Sequence, residues 1–153
     1  MGMARARLEE IKVHVRAKLA ALWTSLMFCF VYGDYFELYV PGKLESMLDG
    51  RMGPLGPVTE GVLVGTSILL AVPGLMIALS LLLPAALCRW TNLVLAVAYA
   101  AIMALAAQGA WNFYVLMAAI EIVLCACIVA HAWRWPRHAL AAHDRDELRA
   151  EAA

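Results

Sequence analysis

Three carboxylates stand in stretches otherwise made for hydrocarbon: Asp34 and Glu37 in VYGDYFELYV, and Glu121 in AAIEIVL. A carboxylate in a lipid interior costs several kcal/mol unless it is protonated, paired or wet, so a span that keeps one has a reason to do so. The chemistry open to such groups is proton exchange, cation binding or recognition of a basic ligand. Glu60, Gln108 and Asn112 fall at the ends of neighbouring apolar stretches, and Tyr114 stands seven residues before Glu121 on the same helical face, with Cys125 four after it. Together, Asp34, Glu37, Glu60, Gln108, Asn112, Tyr114 and Glu121 form a candidate ligand or ion pocket. The alternative is structural: each acid is neutral or hydrogen-bonded to Tyr32, Tyr35, Tyr39 or Tyr114 and only specifies packing. Both accounts stay open for Glu37 and Glu60, while the depth of Asp34 and Glu121 favours a functional role.

The elements that position these groups follow from composition. The 153 residues are 64% hydrophobic and 16% charged, with a mean hydropathy of +0.76, far more apolar than a soluble domain. The apolar residues come in four blocks near the ~20 residues a helix needs to cross ~30 Å of hydrocarbon. They run over about 19–40, 61–83, 91–110 and 113–133. The expected fold is therefore all-α, a four-transmembrane-helix bundle. The first block lacks the short apolar run and small-residue cleavage site of a removable signal and reads as a permanent span.

Of the 12 Lys and Arg residues, only Lys43 and Arg51 fall in the connection between spans one and two or at the turn between spans three and four. The others flank the opposite ends, so both termini are expected to be cytoplasmic and loop 41–60 outside. The expected location is a bacterial cytoplasmic (inner) membrane. Leu8, Ile11, Val15 and Leu19 recur at helical spacing, which predicts an interfacial amphipathic helix over 1–18, and residues 136–153 read as a polar cytoplasmic tail. The sequence PGKLESMLDGRMGPLGP predicts a short helix with Leu44, Met47 and Leu48 on one side, lying as a cap on the bundle. Thr59 and Glu60 open the second span, where a carboxylate suits the positive end of the helix dipole.

Helical arithmetic sets the depths. With Val40 as the end of span one, Asp34 lies ~9 Å and Glu37 ~4–5 Å below the outer surface, and Glu121 lies ~13 Å deep in span four. No basic residue within the spans is placed to pair with them. Gly61 and Gly65 make a GxxxG pair, and Ala96, Ala100 and Ala104 repeat every four residues; both patterns predict close helix packing. Pro73-Gly74 predicts a kink in span two.

Other chemistry is poorly served. Cys29, Cys88, Cys125 and Cys127 include no CxxC, and His14, His131, His138 and His143 all lie toward the cytoplasmic side, away from the acids, so no metal site is expected. His131, Trp133 and Arg134, in HAWRWPRH, form a candidate headgroup or quinone site, although Trp and Arg at a span end act first as interface anchors. No catalytic constellation, nucleotide loop or nucleic-acid signature is evident.

A span ending in YGDYFELYVPG, the second span GVLVGTSILLAVPGLMIALS and the IEI core of the fourth resemble bacterial membrane proteins of the DoxX-like four-helix superfamily, over most of residues 20–135. That resemblance implies a small helical bundle and a partnership with quinol-linked redox enzymes, and it carries over no catalytic residues. Three functions follow as expectations. The first is proton- or cation-linked transport or small-ligand binding at an outward-opening acidic pocket. The second is an accessory role in a membrane redox complex, with quinone as the only cofactor in view. The third is a structural role in membrane assembly. Expected partners are the lipid bilayer, further copies of the chain in a homo-oligomer, and another membrane protein.

Overall fold

The computed structural model describes residues 12–136. These form α1 (Val15–Glu37), a short α2 (Lys43–Leu48), a 3-10 turn (Gly53–Leu55), α3 (Glu60–Leu82), α4 (Ala85–Ala106) and α5 (Asn112–Trp133). All except α2 and the 3-10 turn are long and apolar enough to cross a membrane, as expected of a multi-pass membrane protein. Helix α5 packs between α1 and α4, α1 also packs on α3, and α3 meets α4 over a shorter stretch. The bundle therefore has a loop end, carrying residues 38–59, and an opposite arginine end, carrying Arg16, Arg89 and Arg134.

Several boundaries move from their expected places, each for a local reason. Leu8, Ile11 and the 137–153 tail lie outside the described residues. Lys12–His14 are not helical, and Val15 and Leu19 belong to the first spanning helix rather than to a separate interfacial one. His14 starts that helix by accepting a hydrogen bond from the Arg16 amide at 3.3 Å. At the other end α1 stops at Glu37, and residues 38–40 turn ahead of Pro41, whose ring disfavours helical geometry in Val40. Helix α4 begins at Ala85, directly after Pro84, so it starts earlier than its apolar run and carries Arg89 inside its second turn.

The arginine half holds the core. Leu19, Trp23, Leu26, Met76, Leu93, Ala96, Cys125, Ile128 and Ala132 are buried together, with Phe30 and Tyr99 above them. The Tyr99 ring stands edge-on to Trp23, with centroids 6.2 Å apart, and lies 6.3 Å from Phe30. By contrast, no residue of α3 before Pro73, of α4 after Tyr99 or of α5 before Ala118 is buried.

Polar groups inside this core are fully bonded. The Trp23 indole N–H donates to Asn92 Oδ1 at 2.7 Å, and the Ser80 hydroxyl donates to the same oxygen at 3.4 Å. Asn92 Nδ2 donates to the Cys88 carbonyl at 2.8 Å, and the Cys88 thiol donates to the Ser80 carbonyl at 3.3 Å. The cluster joins α1, α3 and α4, and it satisfies groups for which lipid offers no alternative partner. Helix α3 runs on through Pro73, which lacks the amide that would bond the Leu69 carbonyl. The Tyr99 hydroxyl fills that gap from α4, donating to Leu69 O at 2.5 Å.

At the arginine end, Arg16 Nη1 donates to the carbonyls of Leu81 and Leu83, at 2.8 and 2.7 Å, and so caps α3. Arg89 Nε donates to Ala132 O at 3.3 Å near the end of α5. Both cations sit where helix carbonyls are unpaired and the dipole is negative. The small-residue motifs behave unevenly. Ala96 is buried and Ala100 is half-buried against α5, but Ala104 is exposed. Gly61 and Gly65 meet no other helix of this chain, in a half of α3 that buries none of its residues.

Candidate functional site

The contact between α1 and α5 brings the expected acids into one column. At its mouth Glu37, the last residue of α1, forms an ion pair with Lys43 Nζ at 2.5 Å. Lys43 reaches it because the Pro41-Gly42 turn reverses the chain, with Gly42 at φ 78°, and α2 starts immediately afterwards. No basic residue within the spans pairs with the acids among the described residues, and the partner of Glu37 comes from the loop. Lys43 lies outside the apolar block but folds back over its end.

Asp34 lies one turn below Glu37 and within electrostatic reach of both Glu37 and Lys43. Since α1 ends at Glu37 rather than Val40, Asp34 is only ~4–5 Å from the helix end, shallower than the sequence depth implied. Its residue surface is exposed in the isolated chain. Below it comes Tyr114 of α5, half-buried and within electrostatic reach of Glu37, Asp34 and Glu121 together.

Glu121 closes the column. It is 5% exposed, it takes part in no side-chain hydrogen bond among the described residues, and its carboxylate oxygens keep some of that remaining surface, since none of the fully buried side-chain oxygens or nitrogens lacks a partner. Asp34 is the charged neighbour within its reach. The stripe Ala118, Glu121, Cys125, Ile128 and Ala132 is the buried face of α5, with the three- and four-residue spacing that a helix requires. Cys29 of α1 and Cys125 of α5 lie near Glu121 at the foot of the column. Cys29 is a neighbour that sequence reasoning missed, since a lone cysteine five residues before Asp34 carries no signal of its own.

The tyrosines do not take the role of donors to the acids. Tyr35 and Tyr39 share a hydrogen bond with each other, 2.9 Å between oxygens, on the exposed side of α1. Glu60 stands exposed in the first turn of α3, where Thr59 Oγ1 caps the helix by accepting from the Val62 amide at 3.2 Å. This is the dipole-stabilised position of its structural account. Gln108 and Asn112 lie exposed at the α4–α5 turn, above the column rather than within it. Asp34, Glu37, Tyr114 and Glu121 are thus brought together, and Glu60, Gln108 and Asn112 are left at the periphery.

The loop touches the site through Lys43 on Glu37, and it meets α3 where the Thr66 hydroxyl lies 3.9 Å from Met52 Sδ. The apolar side of α2 takes no part in this, since Leu44, Met47 and Leu48 are exposed. Among the described residues, no three His, Cys, Asp or Glu side chains are grouped as ligands for a metal ion. The site's means are two neighbouring carboxylates, a third held by an ammonium, and a tyrosine hydroxyl.

The other candidate site lies at the arginine end. His131 Nδ1 pairs with the Cys127 carbonyl at 2.8 Å, within its own helix. Arg89 lies over the rings of Trp90 and Trp133, at 5.5 and 5.8 Å from their centroids, and Arg16 lies 5.8 Å from that of Trp135. Trp133 and Arg134 line one end of a groove between α4 and α5; His131 does not line it.

The family of unknown function DUF6326 matches residues 7–142. This chain belongs to that family. The match covers all four spanning helices, so the acid column and the bonded core both lie inside the family domain. No curated protein and no solved structure matches the chain.

Proposed function

We propose that this DUF6326 protein binds a proton or a singly charged cation at Asp34 and Glu121 and couples that binding to transport or to capture of a small ligand. The observation that carries the reading is Glu121, 5% exposed, without a hydrogen bond from any described residue, and within electrostatic reach of a second carboxylate. A carboxylate so placed is stable only with a proton or a cation to neutralise it. Two facing acids with a tyrosine hydroxyl suit a small monovalent charge better than a divalent metal, which takes six or more oxygen ligands.

In this reading the loop end faces outward, because Arg16, Arg89 and Arg134 gather at the opposite end as cytoplasmic arginines do. Lys43 then acts as a tethered cation at the mouth, neutralising Glu37 and screening Asp34 until an incoming charge replaces it. The open Gly61 and Gly65 face of α3 is where a homo-oligomer would form. The relationship to DoxX-like proteins belongs to the same reading, supported by the four spans and the acid-bearing first span.

Proteoliposomes test it. Uptake of protons and of monovalent cations, followed with a trapped fluorescent indicator, should require the protein and should be abolished by Asp34→Asn and by Glu121→Gln while helix content stays unchanged. Uptake by both variants at the wild-type rate would sink the reading.

A further inference from the structure

The α4–α5 groove shares Cys125 with the foot of the acid column but none of its acids, and its shape and charge specify an occupant. It encloses about 530 Å³. Its walls are made by Ala96 and Ala100 of α4 and by Ala126 and Ala130 of α5, with Trp133 and Arg134 at one end. We propose that it holds one acyl chain of an anionic phospholipid, with the phosphate on Arg134.

Length is the first argument. From Ile122, which lines the far end, to Arg134 the helix rises ~18 Å, close to the ~15 Å of hydrocarbon in one leaflet. A chain entering beside Arg134 therefore ends near the bilayer centre. Width is the second. Spread over ~18 Å, about 530 Å³ gives the narrow cross-section of an extended chain, whereas a helix 10–12 Å across could seat only one face in it. An acyl chain fits within the groove, and a second copy's helix would lie over it.

Charge is the third argument. Arg134 is exposed, and no hydrogen bond or ion pair holds its guanidinium among the described residues. The two arginines nearby differ: Arg16 and Arg89 are engaged on helix carbonyls. Arg134 thus offers an unclaimed fork at headgroup level, where one basic residue adds about 1 kcal/mol of attraction to anionic lipid. Arg89 adds to the field from the far side of the Trp133 ring.

Native mass spectrometry of the full chain, released from micelles with added phosphatidylglycerol or phosphatidylcholine of matched acyl chains, tests this. Wild type should retain one phosphatidylglycerol in preference to phosphatidylcholine, by roughly fivefold. Arg134→Gln should remove the preference, and Ala126→Leu, at an exposed position that fills the groove without entering the core, should remove the bound lipid. Equal retention of the two lipids by wild type, or undiminished retention by Ala126→Leu, overturns the assignment. So does a groove-dependent mass matching a quinone, or a second chain lost on Ala126→Leu. None of these outcomes depends on Asp34 or Glu121, so failure here leaves the acid column untouched.

Discussion

The two halves of the bundle treat their polar groups in opposite ways. Toward the arginine end Trp23, Ser80, Cys88 and Asn92 bond one another across three helices, and Arg16 and Arg89 occupy helix carbonyls. Toward the loop end Asp34 and Glu121 lie within electrostatic reach of each other, neither takes part in a hydrogen bond, and few residues around them are buried. A membrane protein has no water in the bilayer core to satisfy a stray polar group, so the first half shows how this chain builds stability. The departure from that rule in the second half is what marks a working site.

This contrast makes substitutions diverge in size and sign. Trp23→Ala should have the largest effect, a loss of about 3–5 kcal/mol, since it empties the centre of the core and leaves Asn92 short of a donor. Reversible unfolding in mixed micelles would measure it; a loss below ~1 kcal/mol would mean that the arginine half is not the stabilising one. Asn92→Leu should cost about 1–3 kcal/mol in the same assay, because the buried Trp23 N–H is left unpaired.

The mirror experiment in the acid column is Glu121→Met. Replacing an unbonded buried carboxylate with an apolar side chain of similar length should stabilise the bundle by ~1 kcal/mol while eliminating cation uptake. A destabilisation as large as that of Asn92→Leu would place Glu121 among the structural polar groups and remove the contrast. Tyr99→Phe should cost ~0.6–1 kcal/mol, the size of one interhelical hydrogen bond in a membrane. Lys43→Gln should be the mildest for stability, within ~1 kcal/mol for a pair near water. It should still raise the apparent cation affinity, because the tethered competitor is gone; an unchanged or lowered affinity in the flux assay would argue against a gating role for Lys43.

Much of this was legible in the residues. The four spans follow from hydrophobic length alone, and Glu121, Tyr114 and Cys125 lie on one face of α5 because helical periodicity leaves little choice. What periodicity could not show was how chain reversals place groups outside the apolar blocks. Lys43 is six residues from Glu37, and only the turn at Pro41-Gly42 brings the two into contact. The start of α4 was hidden for a related reason: Pro84 sets it, whereas the apolar run begins later.

Small-residue motifs were legible as motifs but not as contacts. Ala96 found a partner helix and Gly61 and Gly65 did not, since the choice depends on which half of each helix is buried. The Trp23–Asn92 bond spans 69 positions, and nothing local in either segment announces the other. A polar residue inside a span is itself a signal, however, and Asn92 could have been singled out by the same rule that drew attention to Glu121.

The hydroxyl of Tyr99 on the Leu69 carbonyl bears on how the chain enters the membrane. With Pro73 in place, α3 alone would carry an unanswered carbonyl into lipid, a cost removed only when a residue 30 positions later arrives. Two residues, Leu83 and Pro84, separate α3 from α4. In the folded pair the proline of the first helix is thus made tolerable by the tyrosine of the second.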